Sequence, residues 1–132
     1  MPRNIDLTEA EWTLMEQLWG APGQTGQTGR ALTDALHAKT SWARSTTLTL
    51  LRRLTEKGAV RTEVQDGMHV YFPAVSREDA AARQTRDLLG RVYHGSLSLL
   101  VSAMTREEAL SKAEIDELYA ILDEMEAKQG DA

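Results

Sequence analysis

Between residues 60 and 73 the chain reads VRTEVQDGMHVYFP, two alternating runs joined by Asp66-Gly67. Asp-Gly is a preferred two-residue hairpin turn because both positions tolerate a positive φ. Val60, Thr62 and Val64 alternate with polar neighbours, and Met68, Val70 and Phe72 do so after the turn, which is the period of a strand. The other periodic segments repeat as helices. A lone two-stranded hairpin is marginal in water, so its apolar face must pack on those helices. The predicted fold class is mainly α with a small β-hairpin.

Three helices precede the hairpin. TEAEWTLMEQLW, residues 8–19, opens with a capping box in which Thr8 caps and Glu11 reaches back, and Leu7 and Trp12 are spaced as a hydrophobic staple. Trp12, Met15 and Trp19 define its expected buried face. GAPGQTGQTG reads as a flexible turn. A short second helix, around residues 29–38, has Ala31, Leu32, Ala35 and Leu36 as its apolar set. The third is expected from about Arg44 to Lys57, ending at Gly58. Thr47, Leu50, Leu51 and Leu54 recur at i, i+3, i+4 and i+7 and form its core face. At about 100° per residue, Ser45, Thr49 and Arg52 lie opposite, flanked by Arg53 and Leu48. Helix, helix, helix and wing make a winged helix-turn-helix domain, expected over residues 1–75.

The third helix is built against its own propensity. Ser45, Thr46, Thr47, Thr49 and Thr55 each cost about 0.5 kcal/mol relative to alanine. Burial of Leu50, Leu51 and Leu54, at about 1.5–3 kcal/mol each, recovers that loss. What the helix gains is a face of short hydroxyls and arginines that a DNA major groove accepts. Hydroxyls reach phosphates or base edges, threonine methyls meet thymine methyls, and arginine pairs with guanine or clamps a phosphate. The hairpin can lay Arg61, His69 or Tyr71 along the neighbouring backbone.

A net charge of −5 looks unsuited to a polyanion until it is divided along the chain. Residues 1–75 are neutral, and residues 76–132 carry the whole excess of acid. Residues 40–61 hold Arg44, Arg52, Arg53, Lys57 and Arg61 against Glu56 alone. Local sign governs docking. Nothing in the sequence forms a nucleophile–base pair, a phosphate-cradling glycine loop or a metal-ligand cluster, and the chain has no cysteine, so neither an enzyme nor a cofactor is expected. No apolar run is long enough for a membrane span and none resembles a signal-peptide core, which makes the cytoplasm the expected compartment.

From residue 76 the pattern is helical only, an all-helical dimerisation domain over residues 76–132. Leu88, Leu89, Val92 and Tyr93 cluster near the end of one helix. SLSLLVSAM, residues 96–104, is apolar nearly all round and contributes Leu97 and Leu100. The last helix starts at a second capping box, Ser111 with Glu114, and carries Ile115, Leu118, Leu122 and Met125 at heptad spacing, with Tyr119 beside them. These positions exceed what three short helices can bury among themselves, so a homodimer is expected. Two-fold pairing also doubles the DNA contacts.

At this point a family resemblance becomes specific. Trp12, Met15 and Trp19 in the first helix, TTLTLLRRLTEKG at residues 46–58, VYFP with Tyr71 and Pro73, and EIDELYAIL near the end are similar to the penicillinase and methicillin-resistance repressor family (BlaI/MecI type). The resemblance extends from Leu7 to about Met125. It implies a homodimeric repressor of resistance genes on a dyad operator. By position it implies DNA contacts from Arg44, Ser45, Thr46, Thr49 and Arg53, supported by His69 and Tyr71. It further implies a membrane sensor protease as partner and cleavage in the carboxyl domain, at the bond matching Ala103–Met104. Two other readings stand beside it. One is a small-molecule-sensing winged-helix regulator with a pocket near Tyr93, His94 and Tyr119; the other is a winged-helix module that binds protein.

Overall fold

The computed structural model of the protein describes residues 6–21, 25–106 and 110–130. Its elements run α1 (Glu9–Trp19), β1 (Gln27–Thr28), α2 (Gly29–Thr40), α3 (Arg44–Lys57), β2 (Val60–Gln65), β3 (Met68–Pro73), α4 (Arg77–Val92), α5 (Leu97–Arg106) and α6 (Lys112–Gly130). The chain divides into two compact units, the first ending at Gln84 and the second beginning at Thr85. The change of sequence character at residue 76 comes earlier than this division. The first turns of α4 are tied into the first unit: Arg77 Nη2 lies 3.0 Å from Glu16 Oε1, and Gln84 Nε2 donates to the Leu7 carbonyl at 3.1 Å.

α1 begins at the expected capping box, with the Glu11 amide donating to Thr8 Oγ1 and the Thr8 amide to Glu11 Oε1. Its buried face is shifted from the expected one. Leu14, Met15 and Leu18 are in the core with Glu11, whereas Trp12 and Trp19 are half-buried at the side, edge to face with centroids 5.1 Å apart. Each indole has a polar end to satisfy. Trp12 Nε1 donates to Glu16 Oε1 and Trp19 Nε1 to the Val75 carbonyl, both at 2.9 Å, which holds the rings at the boundary with solvent.

α2 buries Leu32, Thr33 and Leu36, while Ala31 is exposed and Ala35 only half-buried. α3 buries Thr47, Leu50, Leu51 and Leu54, the expected set, and ends at Gly58 with φ 86°. The core therefore lies between α1, α2 and α3 and is closed by Ala59 and Val60 at the start of the wing.

The sheet has three strands in the order β1-β3-β2, all antiparallel. The segment read as a flexible turn thus supplies a strand, since Gln27 pairs with Tyr71 and Thr28 with Val70. Gly26 makes the approach possible: a Cβ there would stand 2.4 Å from Val70 Cγ1 and 2.6 Å from Phe72 Cζ. Asp66 and Gly67 form the tight turn with φ of 51° and 78°. That turn pairs Gln65 with Met68, Val64 with His69 and Thr62 with Tyr71. Directly opposed residues share a face. Val60, Thr62 and Val64 therefore lie with Tyr71 and His69, while Met68, Val70 and Phe72 lie on the other face with Arg61 and Glu63. The two apolar sets do not form the single packing face expected for the hairpin. Tyr71 and Val60 pack towards the core, and the strands then run on into solvent, leaving Val64 66% and Met68 55% exposed.

In the second unit Ser111 Oγ accepts the Glu114 amide at 3.2 Å, while the Glu114 carboxylate meets the Ser111 hydroxyl rather than its amide, so the cap is not reciprocal. Among the described residues, no side chain of α4, α5 or α6 is buried. The described residues of one chain do not supply the burial expected around the apolar α5. No helix among the described residues is long and apolar enough to cross a membrane.

Candidate nucleic-acid interface

A tight turn presents α3. Ser41 caps α2 in the left-handed region with φ 64°, and Ala43 precedes α3 in an extended conformation. The Trp42 amide donates to Thr40 Oγ1 at 3.2 Å, and the Trp42 carbonyl lies 3.0 Å from His37 Nδ1. These bonds fix the entry of α3, and burial of its leucines fixes its roll. Arg44, Ser45, Thr46, Arg52 and Arg53 consequently face solvent together, with Thr49 half-buried among them.

The far end of α3 is held by an ion pair whose carboxylate is buried and whose ammonium is partly exposed. Lys57 Nζ lies 2.6 Å from Glu11 Oε1 and donates to the Asp6 carbonyl at 2.8 Å. Glu11 is 1% exposed. Burial pushes its carboxyl pKa up, but hydrogen bonds from Lys57 and Thr8 outweigh that effect and leave it below its ordinary value of 4.5. The pair joins the start of α1 to the end of α3, so it helps to set the orientation of the exposed face.

Not all of the local positive charge is free. Lys57 serves the core pair, and Arg61 pairs with Glu63 while its guanidinium sits 4.3 Å from the centre of the Phe72 ring. Arg61 is therefore on the sheet face opposite His69 and Tyr71. Among the described residues, Arg44, Arg52 and Arg53 have no acidic group within salt-bridge distance. The unneutralised arginines of the helix share one surface with its hydroxyls. His69 is exposed on the wing, whereas Tyr71 is half-buried and packs against the core, its ring reaching the start of α2.

Arg30 is not among the residues expected at the interface from the sequence. It is exposed near the amino end of α2 and, with Thr33, Asp34, His37, Ala43 and Arg44, lines an open cleft of about 600 Å³ between α2 and α3. The signal was available, since Arg30 directly follows the Gly29 that starts α2. In the second unit Tyr119 is 65% exposed and His94 sits exposed in a turn with φ 52°. No group of three or more potential metal ligands occurs among the described residues.

Known proteins resemble this chain along most of its length. The family model described as penicillinase repressor matches residues 7–124. The penicillinase repressor of Bacillus licheniformis is 30% identical over 124 residues, 94% of each chain. The transcriptional regulator BlaI of Mycobacterium tuberculosis is 30% identical over 130 residues, covering 98% of this chain and 92% of that one. The methicillin resistance regulatory protein MecI of Staphylococcus aureus is 25% identical over 120 residues, 91% of this chain and 95% of that one. Among solved structures, the DNA-binding domain of the repressor BlaI superposes with a TM-score of 0.52 at 24% identity, covering 60% of this chain and 93% of that one. That likeness concerns the fold, a winged helix.

Proposed function

Since the chain belongs to the penicillinase repressor family, matched across residues 7–124, we propose that it is a transcriptional repressor that binds a double-stranded DNA operator through the exposed face of α3. The observation that carries this reading is the free positive charge of Arg44, Arg52 and Arg53 on one helix whose opposite side is core. Ser45, Thr46 and Thr49 supply hydroxyls beside them, and His69 reaches the flanking backbone from the wing. Tyr71 acts from the core side by bracing the wing. Arg61, turned to the other sheet face, meets phosphate only if the groove wraps round the wing.

The second part of the reading is homodimerisation through the helical unit. In support, Leu88, Val92, Leu97, Ile115, Leu122 and Met125 are exposed, and Leu89, Tyr93, Leu100 and Leu118 are only half-buried. Exposed apolar side chains in such density mark an association surface. Two copies related by a two-fold axis read a dyad whose half-sites lie about one DNA turn, ~34 Å, or a multiple apart. The genes controlled would be antibiotic-resistance or stress genes in the cytoplasm of the host. Induction would pass through a membrane sensor protease that cuts Ala103–Met104. This bond lies inside α5, so the helix must unwind locally before a protease can engage it.

A mobility-shift titration with the promoter of the chain's own gene tests the reading. Thr49→Ala and Arg53→Ala should each weaken binding by about 1–3 kcal/mol, roughly 5- to 150-fold. Unchanged affinity in both variants would reject α3 as the reader. Intact mass measurement of the protein from β-lactam-treated cells tests the induction route; full-length chain alone while the target genes are on would reject it.

A further inference from the structure

Among the leucines of α3, Leu48 stands apart: Leu50, Leu51 and Leu54 are buried, and Leu48 is 39% exposed. It is four residues after Arg44 and four before Arg52, so the three side chains form one ridge that spans about 12 Å along the helix. Both ends of that ridge are arginines without an acidic partner among the described residues. One side of Leu48 lies towards α2. A Cβ on Gly29 would stand 4.0 Å from Leu48 Cδ2 and 3.5 Å from Tyr71 Cε2, so both side chains lie near the start of α2. Ser45 and Arg52, three residues before it and four after, neighbour Leu48 on the exposed side of the helix.

We infer that Leu48 is a specificity-determining residue that selects a thymine in each half-site by apolar contact with its 5-methyl group, an inference that rests on the α3–DNA reading above. If Arg44 and Arg52 dock, the ridge between them enters the groove and Leu48 is dehydrated against a base edge. Of the major-groove groups, the thymine methyl is the largest apolar one; cytosine offers only a C5 hydrogen in its place, and the remaining groups are amino, keto or ring nitrogen. Leucine opposite any of those leaves a polar edge without a partner, which is unfavourable once water has gone. Attraction and exclusion therefore point to the same base.

The test uses the full chain and duplexes selected by it from a random pool. In the selected half-site, replacing thymines one at a time with deoxyuridine deletes only the methyl. At one position this should weaken wild-type binding about four-fold, the change carried by one buried methyl-sized group. Leu48→Ala should bind the thymine duplex more weakly and lose nothing further on the uracil duplex. A second selection with Leu48→Gln should exchange the base at that position and keep the rest of the motif. Wild-type binding that no uracil replacement weakens, or an equal loss in wild type and Leu48→Ala, overturns the inference and leaves DNA binding by α3 intact. A pool from which nothing is enriched overturns the DNA reading itself, and this inference with it.

Discussion

Replacing Lys57 with methionine removes the cation that holds the buried end of Glu11 while keeping a side chain of similar length. Glu11 is 1% exposed, and its Oε1 accepts from Lys57 Nζ at 2.6 Å and from the Thr8 amide at 2.8 Å. Its Oε2 has no hydrogen-bond partner among the described residues. Without Lys57 the carboxylate keeps one amide and its full desolvation cost. Breaking a fully buried pair costs about 3–5 kcal/mol. The Lys57 side chain is 36% exposed, so solvent screening lowers the expected loss at pH 7 to about 2–3 kcal/mol. The pH dependence carries the sharper signature. In the wild type the Glu11 pKa is depressed, so its stabilisation is complete above the ordinary 4.5 and is lost as pH falls through the folded value. In Lys57→Met, burial is opposed only by Thr8 and the pKa moves upward, so acidification neutralises the stranded charge. The difference between the two proteins should therefore be widest at pH 7 and narrow by pH 4.5. All three tryptophans, Trp12, Trp19 and Trp42, lie in the first unit, so urea unfolding followed by their fluorescence reports on it alone. At pH 7 the midpoint should fall by roughly 1–2 M, taking a slope of about 1.5 kcal/mol per M. A loss under about 0.5 kcal/mol at pH 7, or one of equal size at both pH values, would refute this account of the pair.

Other perturbations probe separate parts of the structure. Gly26→Ala forces a methyl into Val70 and Phe72 and should cost about 2–3 kcal/mol, read as a lower melting temperature of the first unit. Thr47→Val removes a buried hydroxyl that has no hydrogen-bond partner among the described residues, and should stabilise by about 1 kcal/mol, or about 4–8 °C by calorimetry. Leu122→Glu puts a charge on the proposed dimer surface; sedimentation should show monomers while the tryptophan-monitored transition is unchanged.

The reading of α3 from sequence was accurate because one helix carried two unambiguous patterns. Thr47, Leu50, Leu51 and Leu54 form a complete apolar face, and Gly58 ends the helix in the left-handed region. The same reasoning misplaced the buried face of α1 by favouring the largest side chains. Glu11, Leu14, Met15 and Leu18 also follow i, i+3, i+4 and i+7, but a glutamate in a core stripe signals nothing until Lys57, distant in sequence, arrives to pair with it. The hairpin was legible and its faces were miscounted. A two-residue turn at 66–67 sets Val64 opposite His69 by arithmetic alone, so Tyr71 and His69 share the face of Val60. Strand β1 was invisible because two residues have no period, and the position of Gly26 against β3 depends on the whole fold. In the proposed site, residue types did not disclose which arginines are free. Arg61 and Lys57 count as positive charge in the sequence and are committed to Glu63 and Glu11 in the structure.

Backbone amide shifts of the isotope-labelled full chain, titrated with a duplex that it has selected, bear most directly on the central claim. The account predicts that the largest changes fall on residues 44–53 and on His69 of the wing, and that raising the salt concentration reverses them together. Changes concentrated elsewhere, with α3 unaltered at saturating duplex, would contradict it.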